Sequence, residues 1–254
     1  MNNQSRQSFL GKNHEDILAN SYIGIIGLCG GGSHVAQQLA HIGIGNFVIA
    51  DSDVVEDTNL TRMVGSKPAD VGRMKTDVIA DLIQSIKPDA SITQVDGKWL
   101  DGDAEIRDCD IVVGCVDKYF ERDNIERFCR HHSITYIDIG MGVHEEENGF
   151  SISGQVVISE AGGPCMRCLG ILSDENLEQE NKLYGEAGNT PQVIWPNGVL
   201  ASIAVGQTIS TLLPWSPNLA RSTMVEYDGN RQTVSKSNRL PYLTTGTCSH
   251  YPSH

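Results

Sequence analysis

Short apolar runs and amphipathic stretches alternate along the first half of the chain. Tyr22 to Leu28 (YIGIIGL) is an apolar run of strand length; a glycine cluster follows, and then Val35, Leu39 and Ile42 recur at helical spacing. Asn46 to Asp51 (NFVIAD) predicts a second strand that ends on an acid, and Thr76 to Ile86 predicts a helix stopped by Pro88. Ser91 to Val95 and Asp110 to Asp117 (DIVVGCVD) read as further strands, followed by a helix from about Glu121 to Arg130 and a strand over Thr135 to Ile139. Strands that alternate with helices predict an α/β protein with a doubly wound, mostly parallel sheet.

Beyond Gly140 the texture changes. Ser153 to Ser159 predicts a strand, and Ala161 to Leu169 (AGGPCMRCL) a turn that carries two cysteines. Ser173 to Asn189 has almost no apolar period and reads as a mobile loop. Asn197 to Leu213 predicts a helix rich in small apolar residues. Met224 to Tyr227 and Arg231 to Ser235 flank a DGN turn, which predicts an antiparallel C-terminal extension of the sheet.

Composition narrows the classes. With 254 residues, 39% hydrophobic and 20% charged, the chain can bury a core. Its net charge of −13 excludes a general binder of phosphate backbones, so nucleic acid is not an expected partner. No apolar run approaches the roughly 20 residues of a membrane helix, and the polar start MNNQSRQS lacks a signal-peptide core, so the expected compartment is the cytoplasm. Seven cysteines in that compartment predict thiols or metal ligands.

The glycine cluster, Gly27-Leu28-Cys29-Gly30-Gly31-Gly32-Ser33, sits between a strand and a helix, where bare amides and the positive helix end suit a phosphate. Close helix-to-sheet packing is the other use of such glycines. Cys29 occupies the second glycine position of the dinucleotide pattern, which tells against NAD. Asp51 closes its strand at the spacing from which a carboxylate reaches a ribose hydroxyl, with Asp53 beside it. Asn59, Arg62, Arg73 and Lys75 then place three cations in a short stretch of an acidic chain, suited to a triphosphate or simply solvated. Asp117 ends a parallel strand, where it can hold magnesium or cap the following helix.

Taken in order, Ser5-Arg6-Gln7, the glycine turn, Asp51-x-Asp53, Asn59-Leu-x-Arg62, Gly72-x-x-Lys75 and Val116-Asp117 followed by Arg122 resemble the ThiF/MoeB/HesA superfamily. The resemblance spans most of Ser5 to Leu213. It implies a Rossmann-like, ubiquitin-activating-enzyme-like adenylyltransferase that uses ATP and magnesium on the C-terminal carboxylate of a ubiquitin-like or sulfur-carrier protein. It also implies roles: Gly27, Gly30, Gly31 and Gly32 in the phosphate turn, Asp51 and Asp53 near the ribose, Asn59, Arg62 and Lys75 on the phosphates, Asp117 on magnesium. Arg6 would act in trans across a homodimer. A single adenylation domain over residues 1–254 follows, with a nucleotide-binding half at 1–140 and a partner-binding and dimer half at 141–254.

The chain departs from the pattern at Cys29, where the family usually has glycine, at Met63, where it has glutamine, and at Lys118, where it has asparagine. Many relatives bind structural zinc through two CxxC pairs. Cys165 and Cys168 match the first pair, and Cys248 and His250, with His254 as a further candidate, stand near the second. A reduced, unmetallated turn is the alternative. The Ser173 to Asn189 loop has no cysteine for a thioester, and Cys109 reads as a surface thiol. Adenylation of another carboxylate, of a peptide or a modified tRNA base, and a non-catalytic binding module of the same fold stay open as alternatives.

Overall fold

The computed structural model describes residues 5–182, 191–219, 221–243 and 248–251. Eight strands form one sheet in the order β3-β2-β1-β4-β5-β6-β7-β8. β1 (Tyr22–Ile26), β2 (Asn46–Asp51), β3 (Ser91–Asp96), β4 (Ile111–Gly114) and β5 (Thr135–Glu146) are parallel. β6 (Gly149–Ser159), β7 (Met224–Asp228) and β8 (Thr233–Lys236) add antiparallel strands at one edge. The helices are α1 (His14–Asn20), α2 (Gly30–Ile42), α3 (Lys75–Ile86), α4 (Asp103–Arg107), α5 (Tyr119–His131), α6 (Asp174–Lys182) and α7 (Ile194–Leu212).

Alternate strand residues feed two cores, as a sheet covered on both faces requires. Ile23 and Ile25 of β1, Ile111 and Val113 of β4 and Ile137 and Ile139 of β5 pack with Leu39 of α2, Ile79 of α3 and Ala204 of α7. Ile26, Val112 and Tyr136 point the other way, onto Ile106, Ile125 and Cys129 of α4 and α5. Each fully buried Ile or Leu contributes about 1.5–3 kcal/mol. Because β4 returns beside β1 after β2 and β3 have been laid outward, the sheet has a topological switch point at the carboxyl ends of β1 and β4.

Several elements differ from the sequence expectation. The Ser173 to Asn189 stretch is helical over Asp174–Lys182, while residues 183–190 lie outside the described residues. Good helix formers and acids in the first turn, rather than an apolar stripe, make that helix. α7 starts at Ile194, because Pro196 in its first turn gives up only an amide that has no intrahelical acceptor. β5 and β6 run on to Glu146 and Gly149, since their hairpin pairs every residue out to its tip. Cys109, expected at the surface, is buried against α4 and β1. Among the described residues, no helix is long and apolar enough to cross a membrane.

Candidate functional site

At the switch point lies an open cavity of about 240 Å³. The glycine turn forms one wall, and its glycines divide the work. Gly27 adopts φ +88, and a Cβ there would stand 2.6 Å from the Cys115 carbonyl oxygen; a Cβ on Gly32 would stand 1.9 Å from the carbonyl oxygen of Gly27. These two allow α2 to seat against the sheet. Cys29, Gly30 and Gly31 line the cavity, where α2 begins and its first amides have no helical acceptor. Packing and anion access are thus both met, by different glycines.

Asp53, Asn59, Arg62, Lys75 and Asp117 also line the cavity. Asn59 is buried, and its side-chain oxygen accepts the Glu56 N–H at 3.1 Å, which closes a capping box around the short 3-10 turn Asp57–Thr61. That turn delivers Arg62. One guanidinium nitrogen of Arg62 donates to the Thr58 carbonyl at 2.9 Å, while its Nε is buried and meets no acceptor among the described residues. Lys75, at the start of α3, is buried; its Nζ lies 2.7 Å from Asp53 and 3.6 Å from Asp51. Burial pushes the Lys75 ammonium down, but the two carboxylates outweigh it and leave the group above its usual range. Asp53 is held below the usual carboxylate range, because Lys75 overcomes the upward push of burial. Asp51 goes the other way: its burial outweighs the ion pair and raises it.

Asp51 is not on the cavity wall. Its Oδ2 accepts the Leu28 N–H at 2.7 Å and its Oδ1 the Asp53 N–H at 3.0 Å, so it braces the glycine turn and orients Lys75 from below. Arg73 is also absent from the cavity; it pairs with Asp70 at 2.9 Å and Asp81 at 2.7 Å. Met63 belongs to the core. Arg6 is exposed in the 3-10 segment Ser5–Leu10 and does not line the cavity. Asp117 is exposed, three residues past β4, and Lys118 rather than Asp117 holds the N-cap position of α5.

Gln192 and Asn197 are among the wall residues that the sequence reading did not single out. Gln192 donates its amide to Asp117 Oδ1 at 3.1 Å, and Asn197, on the first turn of α7, donates to the Val193 carbonyl at 3.0 Å beneath Gly30. Asn197 carries a readable signal: it is the polar exception near the start of a helix of small apolar residues, and it is buried. Gln192 carries none.

A second cluster lies behind α5. Cys165, Cys168, Cys248 and His250 place their ligand atoms within 4.8 Å of one another. Sγ–Sγ separations are 3.6 Å for Cys165–Cys168 and 3.5 Å for Cys168–Cys248; His250 Nδ1 stands 3.4 to 3.9 Å from the three sulfurs. Tetrahedral zinc with bonds of about 2.3 Å to sulfur and about 2.0–2.1 Å to nitrogen requires edges of about 3.8 and 3.5 Å. The four groups fit that ion. His254 lies outside the described residues. Met166, inside the turn, donates its N–H to buried Glu126 at 2.8 Å.

Fold and cavity together define an α/β protein with a polar cavity at its switch point, where Arg62 and Lys75 stand beside Asp53, Glu56 and Asp117. The chain belongs to the ThiF family, whose pattern it matches over residues 1–246. It is similar to the molybdopterin-synthase adenylyltransferase of Escherichia coli, with 29% identity over 218 residues that cover 84% of this chain and 81% of that enzyme. It is 29% identical over 234 residues to the ubiquitin-like modifier-activating enzyme 5 of Oryza sativa, covering 85% of this chain and 54% of that protein. Its fold matches crystal structures of E. coli MccB, with a TM-score of 0.77 and 24% identity over 98% of this chain and 73% of that one. Family and relatives make the chain an enzyme of the adenylyltransferase class.

Proposed function

We propose that the chain uses ATP and magnesium to adenylate the C-terminal carboxylate of a ubiquitin-like or sulfur-carrier protein, with release of pyrophosphate. The observation that carries this reading is the convergence of Arg62, Lys75 and Asp117 on one cavity at the amide end of α2, with Arg62 Nε buried and unpartnered among the described residues. A buried N–H without an acceptor costs about 1–3 kcal/mol, and a phosphate oxygen is an acceptor that suits this guanidinium. Attack of a carboxylate on the α-phosphate brings two anions together, so the enzyme's task is alignment and charge neutralisation rather than covalent catalysis.

In this reading the amides around Gly30 and Gly31 hold phosphate oxygens, and Arg62 and Lys75 gather the charge that builds as pyrophosphate leaves. Asn59 and Asn197 fix the wall. Asp53, on the wall, takes the ribose contact, and Asp51 keeps the glycine turn and Lys75 in place. Asp117 is the carboxylate for magnesium, and the Gln192 amide donates to its Oδ1. Magnesium, when bound, would neutralise phosphate charge in the leaving group.

Residues 1–140 form the nucleotide half and 141–254 the partner half, which carries the Cys165, Cys168, Cys248 and His250 set as a structural zinc site. Arg6 reaches the neighbouring site of a homodimer. The test is ATP–pyrophosphate exchange with a carrier protein ending in Gly-Gly. Asp117→Ala should abolish exchange, and exchange at the wild-type rate in that variant would refute the role of Asp117.

A further inference from the structure

The helix that follows Asp117 has no cap of its own. Lys118, at the N-cap position of α5, makes no capping side-chain hydrogen bond. A carboxylate from α6 stands in: Tyr119 N–H donates to Glu180 Oε1 at 2.9 Å and Phe120 N–H to Glu180 Oε2 at 2.9 Å. Both oxygens of one side chain therefore bind two successive free amides at the positive end of a 13-residue helix, a charge-assisted arrangement.

The rest of α6 shows that this contact is directed. Its described side chains are largely polar, with Leu177 half-buried, so little apolar surface holds it down. Its other end is tied by Asp174 to Arg167 at 2.9 Å, and Arg167 is tied to Asp123 of α5 at 3.3 Å. α6 is thus clipped to α5 at both ends by ions. Along the chain, Lys118 alone separates Tyr119, the first capped amide, from Asp117 on the cavity wall. Fixing the amides of Tyr119 and Phe120 fixes where α5 begins, and hence where the Asp117 carboxylate stands on the cavity wall.

We propose that Glu180 is a positioning residue for the nucleotide site, acting through the first turn of α5 on Asp117. The inference rests on the adenylation reading for its purpose, while the clip itself is independent of it. The role follows from a cap supplied across 61 residues of sequence. A glutamate serves where a shorter cap residue cannot, because the carboxylate must span from one helix to the end of another.

The test uses the full chain with Glu180→Ala and Glu180→Gln. Three quantities are read: amide hydrogen exchange at Tyr119 and Phe120, the Kd for ATP with magnesium by calorimetry, and the rate of ATP–pyrophosphate exchange. Loss of a cap of ordinary strength predicts exchange at the two amides faster by about fivefold to tenfold in Glu180→Ala. A Kd raised by a similar factor should accompany it. Glu180→Gln, which keeps one acceptor oxygen and loses the charge, should fall between the two. Unchanged protection at Tyr119 and Phe120 would overturn the proposal. So would lost protection with a wild-type Kd, since Glu180 would then be a structural cap alone. A wild-type chain that binds ATP yet performs no pyrophosphate exchange would overturn the adenylation reading instead, and the Kd comparison would still decide the role of Glu180.

Discussion

Replacing Arg62 by alanine separates activity from stability in a way that few substitutions here would. In the free protein, Arg62 contributes one hydrogen bond to the Thr58 carbonyl and leaves Nε buried without an acceptor among the described residues. The hydrogen bond is worth about 1 kcal/mol and the orphaned N–H costs about 1–3 kcal/mol, so removing both should leave stability between unchanged and about 2 kcal/mol higher. At about 2–4 °C per kcal/mol for a chain of this size, the melting temperature should stay the same or rise by at most about 8 °C. In the proposed reaction the guanidinium meets charge that develops as pyrophosphate leaves, so activity should respond differently. Loss of one such preorganised donor costs about a hundredfold to a thousandfold in rate. Arg62→Lys should recover only part of this, since lysine keeps the charge without the planar fork. The assays are ATP–pyrophosphate exchange and thermal unfolding of the same preparations. Exchange within threefold of wild type, or a melting temperature lower by 10 °C or more, would mean that Arg62 is a strut of the 3-10 turn and not an anion-binding group.

Other outcomes follow from the same geometry. Gly32→Ala drives a Cβ to 1.9 Å from the Gly27 carbonyl oxygen, a backbone clash with no flexible neighbour to yield. It should cost roughly 3 kcal/mol, visible as a drop of roughly 6–12 °C in melting temperature. Burial pushes the Glu126 carboxyl up to about 7, against the downward pull of Ser159, the Met166 amide and Arg130. With the folded value above the unfolded one, its contribution is fully present below the ordinary glutamate range and fades as pH rises towards 7, by of order 3 kcal/mol at most. Glu126→Gln should therefore gain stability relative to wild type at pH 8 more than at pH 4, and a constant difference across that range would contradict the assignment. The purified chain should carry one zinc per protomer by elemental analysis, and Cys248→Ser should lose most of it; an equal metal content in both would exclude the Cys165, Cys168, Cys248 and His250 site.

The fold was largely legible because its strands are buried on both faces. YIGIIGL, NFVIAD and DIVVGCVD are apolar at nearly every position, and only a parallel sheet covered on two sides demands that. The sequence pattern stops the hairpin of β5 and β6 short because its outer half is half-buried or exposed: Val143, Phe150 and Ile152 are interspersed there with His144, Glu145, Glu146 and Ser151 and give no continuous buried run. α6 gives no periodic signal either: acids and good helix formers make it, with no buried stripe to announce it.

For the site, residue types were readable and relations were not. Asp51 stands where spacing put it, yet both its oxygens turn to backbone amides, and Asp53 takes the wall. Arg73 looked like a phosphate cation until Asp70 and Asp81 claimed it. Cys248 and His250 sit about eighty residues from Cys165 and Cys168, and only the folded chain brings them to hydrogen-bond range. Glu180 accepts from the amides of Tyr119 and Phe120, and Gln192 donates to Asp117, across 60 or more residues of sequence, which no local pattern encodes.

The central claim is that this cavity lets a protein carboxylate meet the α-phosphate of ATP. Incorporation of radiolabelled pyrophosphate into ATP, compared between a carrier with a free C-terminal carboxylate and the same carrier amidated at that end, tests it most directly. The account predicts incorporation with the free carboxylate and none with the amide. Equal incorporation with both, or incorporation without any carrier, would contradict it.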